Sequence, residues 1–568
     1  MSRSAPASRP APAHPSLALL HTPAARRLWV LALLAATLLP IWVGAYPPLF
    51  DYQGHLLEVR VARDFADPRL AYADGFVARP GWMADSNALF TLAAVGLSRF
   101  APVDVAGQLA LSLSLAIFLF GLRGLLRQAG TAGALLPLAP LLAYNFTFAS
   151  GWLNFALATA LGLCALRSYE GWAERGGWQG PAFLAVLAVL IYSAHLVVWG
   201  LLAVALGVRA AADRLPARRL AALAAAGAAT LALTLPTRPA LAAIVLIGPA
   251  AWLAARAVGR LRLPAPAVGL AAVELGAVAF LLGLVATPWL RQLDPEIAYR
   301  HFPRGTFLLR TFTLAQQLPT PDRLLSAANV ILAGLLLALA ALLAWGAVRA
   351  GDGAIWRRLA PLAAFAALYG AVPSFTGDIA VVEPRIVLWA GLVALAAVRL
   401  PEGGRLRRLI GGLALAAGLL ATTAFTAHSL RYQEQAAIWR GALEQLAPAR
   451  TVLVFPRAVP FRADIPLRYI ESYYDGLYFS ARYQQEHGGA TTRMFGNGPV
   501  YVRPDLEAAE YLWRPAPGYP PLPEACEHTR ARFDAALAWG PLEPDLSAAL
   551  DACLGPGWPA GNLTIWRP

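Results

Sequence analysis

The sequence predicts an all-α polytopic membrane bundle of about thirteen transmembrane helices, followed by a C-terminal extracytoplasmic α/β domain. Three observations predict it. Of the 568 residues, 58% are hydrophobic and 14% charged, whereas a soluble chain carries about 25% charged residues. The apolar residues come in blocks of roughly 17–25, the length that crosses a bilayer, and arginines concentrate in the short breaks between them. Beyond residue 428 the composition changes: Pro, Tyr, Glu and Asp rise, and no apolar block is long enough to span.

The formal net charge is +14. Its arginines lie in short loops between apolar blocks, so membrane topology accounts for it and nucleic acid is not an expected partner. Residues 1–27, rich in Ala, Pro and Ser, read as a disordered cytoplasmic tail. The first apolar block, Leu28 to Ala45, is followed by Tyr46-Pro47-Pro48 and not by a small-residue cleavage site. It reads as an uncleaved first transmembrane helix.

Arginine placement orients the rest. With Arg26-Arg27 inside, the loop 46–104 lies outside, and a helix over 105–122 returns the chain to Arg123 and Arg127 inside. Helices over 133–148 and 151–167 go out and back through an outer turn at Ser150-Gly151. The loops 168–180 and Arg209–Arg219 are then both inside. Pro181 to Val208 is too short for two full spans, which need about 40 residues. Two short helices bent near Ser193-Ala194-His195 satisfy the charge pattern, with irregular backbone that protein or a wet cavity must cover.

Further helices are expected over 219–235, 240–257 and 265–287, then an outer loop 288–325. Helices over 327–348 and 357–373, an outer loop 374–384, and helices over 385–399 and 409–427 complete the 28–427 membrane domain. The N-terminus falls inside and the C-terminus outside. Residues 428–568 read as an outer α/β domain. A helical stretch from Glu434 to Leu446 leads into strands at Thr451–Phe455, Val500–Val502 and Leu563–Trp566. Cys526 and Cys553 lie there and Cys164 in a membrane helix. The outer pair has two readings, a disulfide in an oxidising compartment or two buried thiols.

Five features carry polar chemistry. The first is Phe50-Asp51-Tyr52-Gln53-Gly54-His55-Leu56-Leu57-Glu58. Asp51 and His55 are four apart and share a helical face, so they suit a base with its orienting partner, or a shared metal or phosphate-bearing ligand. The plainer alternative is that Asp51 caps an interfacial helix. The second is Asn145 to Asn154, where both asparagines need partners at membrane depth and Trp152 reads as an interfacial aromatic. The third is His195 at the bend, a helix-packing residue or a site residue. The fourth is Glu383-Pro384-Arg385 at the mouth of a helix. Arg385 there suits paired hydrogen bonds to a phosphate, with Glu383 as its partner, against the alternative of an arginine snorkelling to the interface. The fifth is the loop Arg291–Arg310, where Arg300 and Arg304 suit an anionic headgroup and solvated charge is the alternative. No P-loop, GxGxxG, GxSxG or HExxH pattern in the right context is present.

An Asp just past the first membrane helix, a long outer loop after it, many helices and a C-terminal outer domain together resemble the GT-C superfamily of membrane glycosyltransferases. The chain is most similar to a bacterial multi-pass branch with Asp-x-x-x-His after the first helix, here Asp51-Tyr52-Gln53-Gly54-His55. Gly151-Trp152-Leu153-Asn154, Ser193-Ala194-His195-Leu196 and Glu383-Pro384-Arg385 match further segments of that branch. The resemblance implies a GT-C-like bundle in the inner membrane that takes a sugar from a polyprenyl-phosphate-linked donor and passes it to an extracytoplasmic glycan, lipid or protein acceptor. It implies that Asp51, with His55, is catalytic. It also implies that Asn145, Asn154, His195, Glu383, Arg385, Arg300 and Arg304 bind substrate. A divalent metal ion is a further possible component, since the first outer loop of the superfamily usually bears a second acid, for which Asp85 is the nearest candidate. Two rival readings are a lipid or glycan transporter or flippase, and a non-catalytic envelope-assembly protein.

Overall fold

The computed structural model describes residues 22–175, 179–214, 323–349, 355–371, 382–400, 404–446, 451–455, 481–492, 499–513, 521–539, 542–560 and 563–567, together with Thr311 and two short strands within 375–380. The expected helices over 219–235, 240–257 and 265–287, the loop 288–325 with Arg300 and Arg304, and the tail before residue 22 lie outside the described residues.

The described chain is mostly helical, with a C-terminal α/β part. Four segments are long and apolar enough to cross a membrane: Pro23–Trp42, Val103–Gln128, Ala132–Ala149 and Gly404–Leu443. Their outward faces carry exposed Leu28, Leu31, Leu113, Phe120, Leu409 and Leu419. Apolar side chains exposed along several helices suit lipid better than water. The expected number of about thirteen spans is not reached among the described residues.

The first helix starts at Pro23, five residues before the apolar run. Thr22 Oγ1 accepts a hydrogen bond from Ala25 N at 3.1 Å, and proline stands in the first turn, where its missing N–H costs nothing. The helix therefore takes in Arg26 and Arg27, which the sequence placed in a tail. The segment Ala132–Ala149 is not one regular helix. It breaks around Pro137, Pro140 and Tyr144-Asn145 into short turns. Against it runs the 40-residue helix Gly404–Leu443, which at about 1.5 Å per residue is roughly 60 Å long. Their backbones meet where Gly418 passes Pro137, since a Cβ on Gly418 would fall 2.0 Å from the Pro137 carbonyl oxygen.

That long helix corrects the expected boundary at 428. The sequence placed the end of a span there and a separate helix from Glu434. One continuous helix covers both, because its far half has its own core to bury. Tyr432, Ala436, Trp439 and Leu443 pack against Val452, Val454, Leu537 and Trp539 of the C-terminal sheet. The expected bend is present: helices Gln179–Ala194 and Leu196–Arg214 are interrupted at His195.

Nine strands are described: β1 Phe76–Ala78, β2 Phe375–Thr376, β3 Ile379–Ala380, β4 Thr451–Phe455, β5 Ala490–Thr491, β6 Val500–Val502, β7 Ala535–Trp539, β8 Trp558–Ala560 and β9 Leu563–Trp566. The main sheet runs β5-β4-β7-β9-β8. β4 is parallel to β5 and β7, and β9 is antiparallel to β7 and β8. A disulfide joins Cys526 to Cys553, which decides between the two readings of that pair. Cys164 is a free, partly buried thiol.

β6 does not join this sheet. It pairs antiparallel with β1 in the loop after the first helix, Val77 opposite Tyr501. Tyr72 Oη donates to Gln484 O at 2.7 Å, Gly489 N to Leu70 O at 2.7 Å, and Gln485 Nε2 to Gln53 O at 2.7 Å. Arg482 forms an ion pair with Asp104 and another with Glu486 at 2.6 Å. The loop 46–104 and the C-terminal part are thus fastened together at one end of the bundle. Arginines gather at the other end: Arg399 Nη1 donates to Gln128 O at 2.6 Å, Arg358 Nε to Ala397 O at 3.0 Å, and Arg407 to Gly130 O. This separation follows the charge asymmetry that oriented the sequence.

Candidate functional site

Asp51 precedes helix Tyr52–Asp64 and occupies its cap position, yet its side chain makes no capping hydrogen bond. The capping role that its position suggests is not the one it plays. Only 8% of the residue is exposed. Its backbone is held from outside the helix: Phe50 N donates to Ala149 O at 3.2 Å. Gly151, at φ +77°, lies so close that a Cβ there would sit 2.5 Å from Asp51 N. Glycine is required at this turn on both counts. The same turn delivers Trp152.

Burial is the main influence on the Asp51 carboxyl and lifts it from the usual carboxylate value of 3.8 to about 7. His55 and Arg385 pull it down, and Glu58 pushes it up. A carboxyl balanced near neutrality can take a proton and return it to water.

His55 lies one turn along the helix from Asp51, but its hydrogen bond goes elsewhere. Its Nδ1 is 3.2 Å from Oε2 of Glu58, a buried carboxylate that Thr91 Oγ1 also approaches, at 3.4 Å. The pairing of Asp51 with His55 as base and orienter is therefore corrected to an electrostatic one, with Glu58 orienting the imidazole. Glu58 sits three residues from His55, a helical neighbour spacing that could have flagged it. Its Oε1 has no hydrogen-bond partner among the described residues.

Arg385 enters from the first turn of helix Glu383–Ala397, where Pro384 shapes the start. It is 7% exposed. Its guanidinium carbon lies 4.2 Å from the centre of the Trp152 ring and 5.7 Å from that of Phe155. Among the described residues its Nε has no hydrogen-bond partner. Asp51, Glu383 and His195 all lie within its electrostatic reach. The sequence singled out Arg385 and Glu383 but read Trp152 as an interfacial aromatic. Its placement beside the glycine turn was the signal for a larger role.

His195 sits at the helix break, its Nδ1 accepting from Val197 N at 3.2 Å. That bond assigns the proton of the neutral ring to Nε2, a donor. The ring meets Phe155 edge-on at 5.3 Å. Phe155 thus touches both His195 and the guanidinium of Arg385.

The two asparagines shape the backbone around these groups. Asn154 Oδ1 accepts from Phe90 N at 2.8 Å, and its Nδ2 donates to Asn87 O at 2.6 Å. The next residue, Ala88, donates from N to Ser193 O at 2.9 Å. One loop thereby ties the Asn154 helix to the break that carries His195. Asn145 caps the turn Phe146–Ala149, its Oδ1 accepting from Thr147 N and Phe148 N and its Nδ2 donating to Leu142 O. Both amides are occupied by backbone, so they position site elements.

Asp51, His55, His195, Glu383 and Arg385 are thus brought to one region, with Glu58 and Trp152 added. Asp85 is engaged elsewhere, in an ion pair with Arg79 at 2.5 Å. Among the described residues no three His, Cys, Asp or Glu side chains converge as metal ligands would, so no step is derived through a metal ion. Arg300 and Arg304 lie outside the described residues. No family model and no curated protein matches this chain.

Proposed function

We propose that this chain is a membrane glycosyltransferase that moves a sugar from a polyprenyl-phosphate-linked donor to an acceptor on the extracytoplasmic side of the inner membrane. One observation carries the reading. A buried guanidinium, Arg385, is held by an aromatic face, with its Nε left without a hydrogen-bond partner among the described residues, and lies within electrostatic reach of a carboxyl that titrates near neutrality. A buried cation without a directly bonded anion is costly, and a phosphate at that position offsets the cost.

In this reading the Asp51 carboxylate takes the proton from an acceptor O–H. The acceptor oxygen then bonds to the anomeric carbon as the bond from that carbon to the donor phosphate oxygen breaks. Polyprenyl phosphate departs with the electron pair. Arg385 holds the charge that grows on the leaving oxygen, and Nε2–H of His195 is a second donor on the same side. The proton leaves Asp51 for water. Glu58 keeps His55 oriented beside the base, and the C-terminal part, fastened to the loop 46–104, forms a wall for the acceptor.

The test is transfer in lipid extract from the producing cells, read as release of free polyprenyl phosphate. Wild-type protein releases it and Asp51→Asn does not; equal release by both proteins refutes the role of Asp51. A transporter reading draws on the helix breaks at Tyr144-Asn145 and His195, since broken helices line substrate paths in transporters. It expects movement of intact lipid-linked sugar with no release of polyprenyl phosphate.

A further inference from the structure

A second charged site lies at the opposite end of the bundle, away from Asp51. A cleft of about 600 Å³, open to solvent, is lined there by Arg209, Arg358 and Arg399 with Glu170. Leu125 and Leu206 are among its apolar walls. The three arginines come from different elements. Arg209 lies on Leu196–Arg214, Arg358 on Ile355–Ala371, and Arg399 just beyond Glu383–Ala397. Two are fixed by main chain: Arg358 Nε donates to Ala397 O at 3.0 Å, and Arg399 Nη1 to Gln128 O at 2.6 Å. The first bond falls two residues before Arg399, so it seats the two guanidinium groups side by side. Arg209 Nε lies 3.4 Å from Glu170 Oε1, with 14% of its side chain exposed.

We infer that this cleft binds the phosphate of an anionic phospholipid. Four observations converge on that occupant. Among the charged lining residues, three cations face one carboxylate. The guanidinium groups are pre-set by backbone, which favours forked recognition of a phosphate over a mobile surface charge. The volume falls in the range of about 300–1,000 Å³ that holds small ligands. The walls are apolar and lie between helices read as spanning, so acyl chains continue outward from the headgroup. Basic pockets of this kind on the inner side of a helical bundle recognise anionic headgroups. The site takes no part in the proposed transfer reaction and does not depend on it.

The test uses full-length protein in detergent, titrated with phosphatidylglycerol, phosphatidylcholine or glycerol phosphate. Retained ligand is counted by native mass spectrometry, and melting temperature is followed in parallel. Phosphatidylglycerol is expected to be retained and to raise the melting temperature. Arg358→Gln and Arg399→Gln each weaken its binding about tenfold, the size of one charge-assisted contact. Arg127→Gln, an exposed arginine at the same end and outside the cleft, leaves it unchanged. Arg399→Lys keeps the charge, separates lost recognition from lost folding, and recovers part of the affinity. Equal retention of phosphatidylcholine, or equal weakening by Arg127→Gln, overturns the site. Glycerol phosphate binding as tightly as phosphatidylglycerol assigns the cleft to a soluble phosphate and overturns the lipid.

Discussion

Arg385 rests its guanidinium on the ring of Trp152, 4.2 Å from centroid to carbon, and reaches Asp51 only through its field. A stacked arginine keeps its in-plane N–H groups directed at whatever lies beside the ring, which is where a leaving phosphate is proposed to sit. Arg385→Lys loses the fork and the planar stack and is expected to reduce transfer roughly 10- to 100-fold. Trp152→Leu removes a cation–π contact that is worth about 1–2 kcal/mol when desolvated and is expected to cost about tenfold. Steady-state transfer rates of the two variants check both values.

Asp51 is expected to trade stability for activity. Its folded pKa is about 7, against 3.8 for the ordinary side chain. Between these values the folded protein binds more protons than the unfolded chain, so stability falls as pH rises through that window, and the full cost is present above about 7. Asp51→Asn removes the cost. The variant is expected to be more stable than wild type at pH 8, by on the order of a few kcal/mol, and little changed at pH 4. Melting curves at the two pH values measure it; a gain of equal size at both would contradict the burial account.

The neighbours of Asp51 shift its titration in opposite directions. Glu58 raises its pKa and Arg385 lowers it. Glu58→Gln therefore moves the rise of residual activity with pH to lower values, and Arg385→Gln moves it to higher values. A pH–rate series on each variant reads the sign directly.

Gly151→Ala adds a methyl where the backbone of Asp51 leaves no room and where φ is +77°. The strain alone is about 1–3 kcal/mol, and transfer is expected to fall with the displaced carboxylate. Gly133, in open space, tolerates the same change. Comparing melting temperature and activity for the two alanine variants separates the site effect from a general one.

Much of this arrangement was legible in the sequence. The helix break at His195 followed from a span too short for its charge pattern, and β4 and β9 followed from β-branched and aromatic runs. Asp51 and Arg385 stood out as polar groups where apolar ones were expected. Other features depend on tertiary contacts that one sequence does not display. β7 reads Ala-Ala-Leu-Ala-Trp, a poor strand former, and becomes the sheet's centre because all five residues are buried. The pairing of β1 with β6 joins residues more than 400 positions apart. The Glu58–His55 bond was within reach of helical spacing, but Asp51 four residues away offered an equally regular partner.

The disulfide Cys526–Cys553 ties helices Ala525–Arg532 and Pro544–Leu554 across a sequence separation of 27 residues. Closing a loop of that size stabilises by about 3 kcal/mol. Cys526→Ala is expected to lower the melting temperature, as is treating wild type with reductant, and the pH dependence of transfer is expected to stay as it is. Thermal melts with and without reductant give the comparison.

The most direct test of the central claim is the lipid that co-purifies with the protein. Asp51→Asn binds donor but cannot use it, so mass spectrometry of its extracted lipids is expected to find a polyprenyl-phosphate-linked sugar. The double variant Asp51→Asn, Arg385→Gln is expected to lose most of that lipid. No polyprenyl-phosphate species in the single variant, or the same amount in both, would contradict the assignment of Arg385 to the donor phosphate and of Asp51 to its transfer.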